Sequence, residues 1–110
     1  MTKFVFTYHN PTPPEGAPEM SPEDMQAEMG KWMAWAEKVG DGMVDFGTPL
    51  ANGVQVTQDG TAPSGRDVSG YTILEAADMD AALELAKIHP HLNSGGCEIE
   101  VHEVQPIPGM

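Results

Sequence analysis

A chain of 110 residues has room for one domain, spanning residues 1–110, and its 17 acidic against 5 basic residues give a formal net charge of −12. That charge sets aside phosphate backbones and anionic lipid surfaces as partners, because Lys3, Lys31, Lys38, Arg66 and Lys87 are scattered and form no basic cluster. The single cysteine, Cys97, excludes an intramolecular disulfide and a thiolate metal cluster.

The segment MTKFVFTYHN lacks the long apolar core of a signal peptide, and no apolar run approaches a membrane span, so a reduced, cytoplasmic setting is expected. Residues 3–9 (KFVFTYH) are rich in aromatic and β-branched types and predict a strand. Phe4, Phe6 and Tyr8 share one face of it, and Val5, Thr7 and His9 the other. The following NPTPPEGAPEM holds four prolines and predicts a surface loop.

Ser21-Pro22-Glu23-Asp24 is a helix start. Ser21 accepts from a free N–H as N-cap, Pro22 fits the first turn, and the two acids suit the positive end of the dipole. Met25, Met29, Trp32, Met33 and Ala36 then recur at helical spacing up to Gly40. From Met43 to Thr57 the pattern predicts two short strands, MVDFGTPLA and GVQVTQ, joined at Asn52-Gly53, with Pro49 marking an edge or bulge. Residues 58–69 are expected to be a loop and GYTILEA, 70–76, a strand.

Asp78 caps a second helix carrying Met79, Ala82, Leu83 and Ala86 on one face, and Pro90 stops it at His89. A last strand, CEIEVHEV, follows the HPHLNSGG turn. Strand, helix, hairpin, strand, helix, strand is the order of an α+β, ferredoxin-like sandwich with both helices on one sheet face. The other face then lacks cover within the chain, which predicts a homodimer packed sheet against sheet.

Nearly the whole chain resembles the YCII-related, or DGPF-type, family. The resemblance is carried by Ser69-Gly70-Tyr71-Thr72-Ile73-Leu74-Glu75-Ala76, the helix AALELAK, His89-Pro90-His91-Leu92, Gly95-Gly96 and the strand from Glu98 to Val104. Trp32-Met33-Ala34-Trp35, the run Met43 to Leu50 and the closing PIPGM add to it. At the namesake motif Asp59-Gly60 is followed by Thr61-Ala62 in place of Pro-Phe. The resemblance implies a dimeric α/β barrel with a cleft near the sheet-to-sheet interface. It implies no one reaction, although some relatives are suggested to be enzymes using a His–Asp pair.

His89-Pro90-His91 is the most suggestive group: two histidines beside a turn supply a general base or metal ligands, or else act as caps. His91 matches the family's Pro-His-Leu pattern. Asp45, a charge in an apolar strand start, needs water or a polar partner, and pairs with His91 as base and orienter if the fold brings them together. Trp32 and Trp35 lie three apart on one helix and either wall a pocket or fill the core. Tyr71 either presents its hydroxyl to the same cleft or packs in the core. Glu98, Glu100 and His102 alternate on one strand face, as metal ligands or as its wet side. Cys97 has no cationic neighbour to activate it.

No zinc, dinucleotide or Ser-His-Asp signature is present, so no cofactor and no metal is expected. Two functions compete. One is an enzyme acting on a small organic ligand by acid–base chemistry, with His91 and Asp45 catalytic and Trp32, Trp35, Tyr71 and His89 lining the site. The other is a non-catalytic dimeric module that binds a small ligand or a protein. Both place a cleft between the start of the 44–50 strand, the first helix and the turn at 89–96.

Overall fold

A computed structural model describes residues 1–11 and 20–109, so the proline-rich loop expected after the first strand lies largely outside the described residues. The chain is α+β. One four-stranded antiparallel sheet, in the order β2-β5-β1-β6, is built from β1 (Thr2–His9), β2 (Met43–Asp45), β5 (Val68–Ala76) and β6 (Glu98–Glu103). Helices α1 (Pro22–Val39) and α2 (Met79–Lys87) contribute to the core on one face.

The alternation read in β1 decides which face that is. Phe4, Phe6 and Tyr8 are enclosed, together with Thr72, Leu74 and Ala76 of β5, in a register that pairs Phe4 with Leu74 and Phe6 with Thr72. Trp35 of α1 fills the centre. Its ring lies 6.0 Å from Phe6, and its indole N–H donates to the Leu85 carbonyl of α2 at 2.8 Å, tying the two helices together. Ala82 and Ala86 give α2 the small face that allows this approach. On the opposite sheet face Val5, Thr7, Tyr71 and Ile73 are only half-buried. The described residues are 19 Å thick in their short dimension, about the depth of one sheet and one helix layer.

The helix limits follow the local signals. Ser21 Oγ accepts from the Asp24 N–H at 3.1 Å, and Asp78 Oδ1 from the Ala81 N–H at 2.8 Å. His89 takes an extended conformation ahead of Pro90, as proline requires, and residues 90–93 form one 3-10 turn. Among the described residues no helix is long and apolar enough to cross a membrane.

The expected hairpin at Asn52-Gly53 is not formed. Strand β2 ends at Asp45, and only a single bridge, Pro49 to Gly70, continues its path along β5. The hairpin instead joins β3 (Val54–Thr57) to β4 (Gly60–Pro63), which occupies part of the expected 58–69 loop. A tight primed turn of the commonest type needs positive φ at both central residues; Asn52 has it and Gly53 does not. The hairpin that does close turns at Gln58-Asp59, and Gly60, with φ +137°, opens β4 opposite Thr57.

Candidate functional site

A cavity of about 360 Å³ opens where α1, the 46–49 segment, the end of β1, the start of β5 and the 3-10 turn meet. Its walls are mostly apolar. Met25, Met29 and Trp32 come from α1 with Glu28 among them, Phe46 and Pro49 from the segment after β2, and Tyr8 from β1. Asn10, Ser69, Tyr71 and His91 add polar groups. The volume falls in the range of roughly 300–1,000 Å³ usual for small-molecule sites.

The path of the 46–49 segment depends on Gly47. Its φ is +83°, and a side chain there would overlap the Tyr71 carbonyl oxygen, so only glycine lets the segment close against β5. Thr72 secures the same approach: its hydroxyl donates to the Phe46 carbonyl at 2.7 Å. Because that carbonyl only accepts, the 2.6 Å contact between Tyr8 and Thr72 has Tyr8 as donor. Burial pushes the Tyr8 phenol up to about 12.

His89 and His91 have separate roles. His89 is 1 % exposed and enclosed by Trp35, Trp32 and Tyr8, with ring centroids 4.3, 4.4 and 4.9 Å away. Its Nδ1 accepts the His91 backbone N–H at 2.9 Å, so the proton of the neutral ring sits on Nε2, which has no hydrogen-bond partner among the described residues. Burial, followed by the neighbouring His91, pulls the His89 pKa down to about 3. This ring does not line the cavity; it braces the turn that does.

His91 does line it. Its Nε2 lies 3.1 Å from the His9 carbonyl oxygen, which only accepts, so in the neutral ring Nε2 carries the proton and Nδ1 is the basic nitrogen. Among the described residues no partner reaches Nδ1.

Asp45 does not orient His91. Its carboxylate accepts from the Gly47 N–H at 2.9 Å through one oxygen and from the Tyr71 hydroxyl at 3.1 Å through the other, and it is not on the cavity wall. Those interactions raise the Tyr71 pKa, first through the hydrogen bond and then through the Asp45 charge. The fold therefore brings together His91, Trp32 and Tyr71, holds Asp45 behind Tyr71, and places Trp35 and His89 in the packed interior.

Sequence reasoning missed the two groups that hold the site. The His9 carbonyl orients His91 from 82 residues away, and Tyr8 walls the cavity as well as filling the core. It also missed the pairing of His9 with Asp67, 2.9 Å apart across 58 residues of chain. No local pattern marks either contact. Glu98, Glu100 and His102 are exposed, and no set of three metal-ligating side chains is gathered among the described residues. Burial raises the Cys97 thiol pKa, away from reactivity.

No family model and no curated protein matches the chain. Among solved structures it is similar to 5-chloro-2-hydroxyhydroquinone dehydrochlorinase (TftG) from Burkholderia phenoliruptrix AC1100, in complex with 2,5-dihydroxybenzoquinone. The identity is 14%, the TM-score 0.47, and the match covers 89% of this chain and 90% of that one.

Proposed function

We propose that this chain binds a small aromatic organic molecule in the 360 Å³ cavity and that His91 accepts a proton from it. One observation carries the reading. The ring of His91 is fixed through Nε2, which leaves Nδ1 without a partner among the described residues, and the residue lines a cavity whose walls include Trp32, Tyr8, Phe46 and methionines. A positioned imidazole beside an apolar chamber suits general base chemistry. The sequence-based pairing with Asp45 is replaced in this reading by the His9 carbonyl.

Binding without turnover is the second reading. A carbonyl stabilises an imidazolium less than a carboxylate does, and Asp45 is already engaged by Tyr71 and Gly47. A panel of small aromatic compounds, scored first by thermal shift and then for consumption of the compound that binds, separates the two. A binder raises the Tm of the wild-type protein, and His91→Ala reduces that rise while leaving the far-ultraviolet spectrum unchanged. Equal shifts in wild type and His91→Ala would remove His91 from the site.

We further propose a ferredoxin-like topology, membership of the YCII-related family and a cytoplasmic homodimer in the manner of a dimeric α/β barrel. The strand order β6-β1-β5-β2 and the half-buried Val5 and Ile73 opposite the helices support the arrangement. Sedimentation equilibrium at micromolar concentration is expected to report about twice 11.8 kDa, and a persistent monomer would end the sheet-on-sheet proposal.

A further inference from the structure

Resting on the reading of this cavity as the binding site, we infer that its ligand is an organic cation: a small aryl or arylalkyl amine in its ammonium form. The first reason is the direction of the hydrogen bonds. Tyr8 gives its proton to Thr72, which gives its own to the Phe46 carbonyl. Tyr71 gives its proton to Asp45, a carboxylate with none to offer back. His91 gives its Nε2 proton to the His9 carbonyl. Ser69 has one hydroxyl proton for two acceptors, the Tyr8 carbonyl and the Asn10 side-chain oxygen. With these protons directed into the protein, the capacity that remains on Tyr8, Tyr71 and His91 is to accept. Three neutral donors remain on the wall: the amide nitrogen of Asn10, the indole N–H of Trp32 and the hydroxyl of Thr48. An ammonium group has three donors and no acceptor, and complements the accepting groups; a carboxylate or phosphate has the opposite need.

The second reason is charge. None of the described lining residues is Lys or Arg, and one is Glu28. Lys31 pairs with Glu28 at 3.0 Å, but it is 57 % exposed, and an exposed pair of this kind holds a carboxylate weakly. A net charge of −12 on 110 residues draws cations toward the cavity and repels anions. The third reason is the wall itself: the rings of Tyr8, Trp32, Phe46 and Tyr71 supply the aromatic surface that attracts an ammonium group, an interaction stronger where water is excluded.

The experiment titrates benzylamine, benzyl alcohol and benzoate, matched in size, into 15N-labelled protein at pH 7, in 20 mM and then about 500 mM salt, following the Trp32 indole N–H. Benzylamine is expected to bind about 10-fold more tightly than benzyl alcohol at low salt, to lose that advantage at high salt, and to leave benzoate without a measurable shift. Glu28→Gln, on the helix surface, is expected to weaken benzylamine about 3-fold or more and leave benzyl alcohol unchanged. If benzyl alcohol or benzoate binds as tightly as the amine, the cavity reading stands and the cation is overturned. If none of the three shifts the Trp32 signal, both fall.

Discussion

Replacing His89 with leucine separates the cost of a missing hydrogen bond from the cost of a buried titrating ring. In the folded chain His89 is pulled down to about 3 by burial, whereas in the unfolded chain it titrates near its ordinary ~6.5. Below ~6.5 the unfolded state takes a proton that the folded state refuses, so acid favours unfolding, and this contribution stops growing only near pH 3. At pH 5 the gap is about 1.5 pH units, or about 2 kcal/mol at 1.36 kcal/mol per unit. Against a total stability of roughly 5–15 kcal/mol this is a large fraction. His89→Leu abolishes the titration but strands the His91 N–H, at about 1–3 kcal/mol. Urea unfolding of both proteins at pH 7 and pH 5 provides the assay. The variant is expected to be less stable at pH 7, with the deficit shrinking by about 2 kcal/mol at pH 5. The carboxylates and other histidines are common to both chains and cancel in the difference. Parallel loss of stability by both proteins would refute the claim that the fold holds His89 neutral.

Three further substitutions test the frame of the cavity. Gly47→Ala forces a side chain into positive φ and against the Tyr71 carbonyl, and is expected to destabilise by more than about 2 kcal/mol, read as a lower urea midpoint; a midpoint within error of wild type would contradict the close approach. Thr72→Val preserves shape but leaves the Tyr8 hydroxyl and the Phe46 carbonyl without their partner, so a loss of about 1–3 kcal/mol is expected, and a neutral result would show that the relay is not formed. Trp35→Phe removes the bond to the Leu85 carbonyl and part of the core volume, with an expected loss of about 2–4 kcal/mol in the same assay; Trp35→Tyr, which retains more volume, is expected to lose less.

Much of the framework was legible in the sequence because its signals are local. The alternation of Phe4, Phe6 and Tyr8 chose the buried face of β1. Ser21 and Asp78 started the helices where their side chains cap free N–H groups. Pro90 turned the backbone at His89 out of the helix. A turn dipeptide is less informative, since Asn52-Gly53 and Asp59-Gly60 both signal reversal and neither says which strands are joined. That choice shows only in the folded chain, where Val54 pairs with Pro63 in a separate, exposed two-stranded ribbon and β2 lies at the edge of β5.

The site depended on tertiary structure more than the fold did. Residue types singled out His89, His91, Asp45, Trp32, Trp35 and Tyr71 as candidates, because an imidazole and a carboxylate near apolar segments demand a partner, and the family resemblance favoured His91 over His89. Which partner each one took was decided by contacts across tens of residues. His91 found the carbonyl of His9, Asp45 found the hydroxyl of Tyr71, and Trp35 went to the core while Trp32, one helical turn away, went to the wall. Spacing along a helix fixes only which face two side chains share. How deeply each is enclosed, and in which direction each proton is given, depends on what the rest of the chain brings against that face.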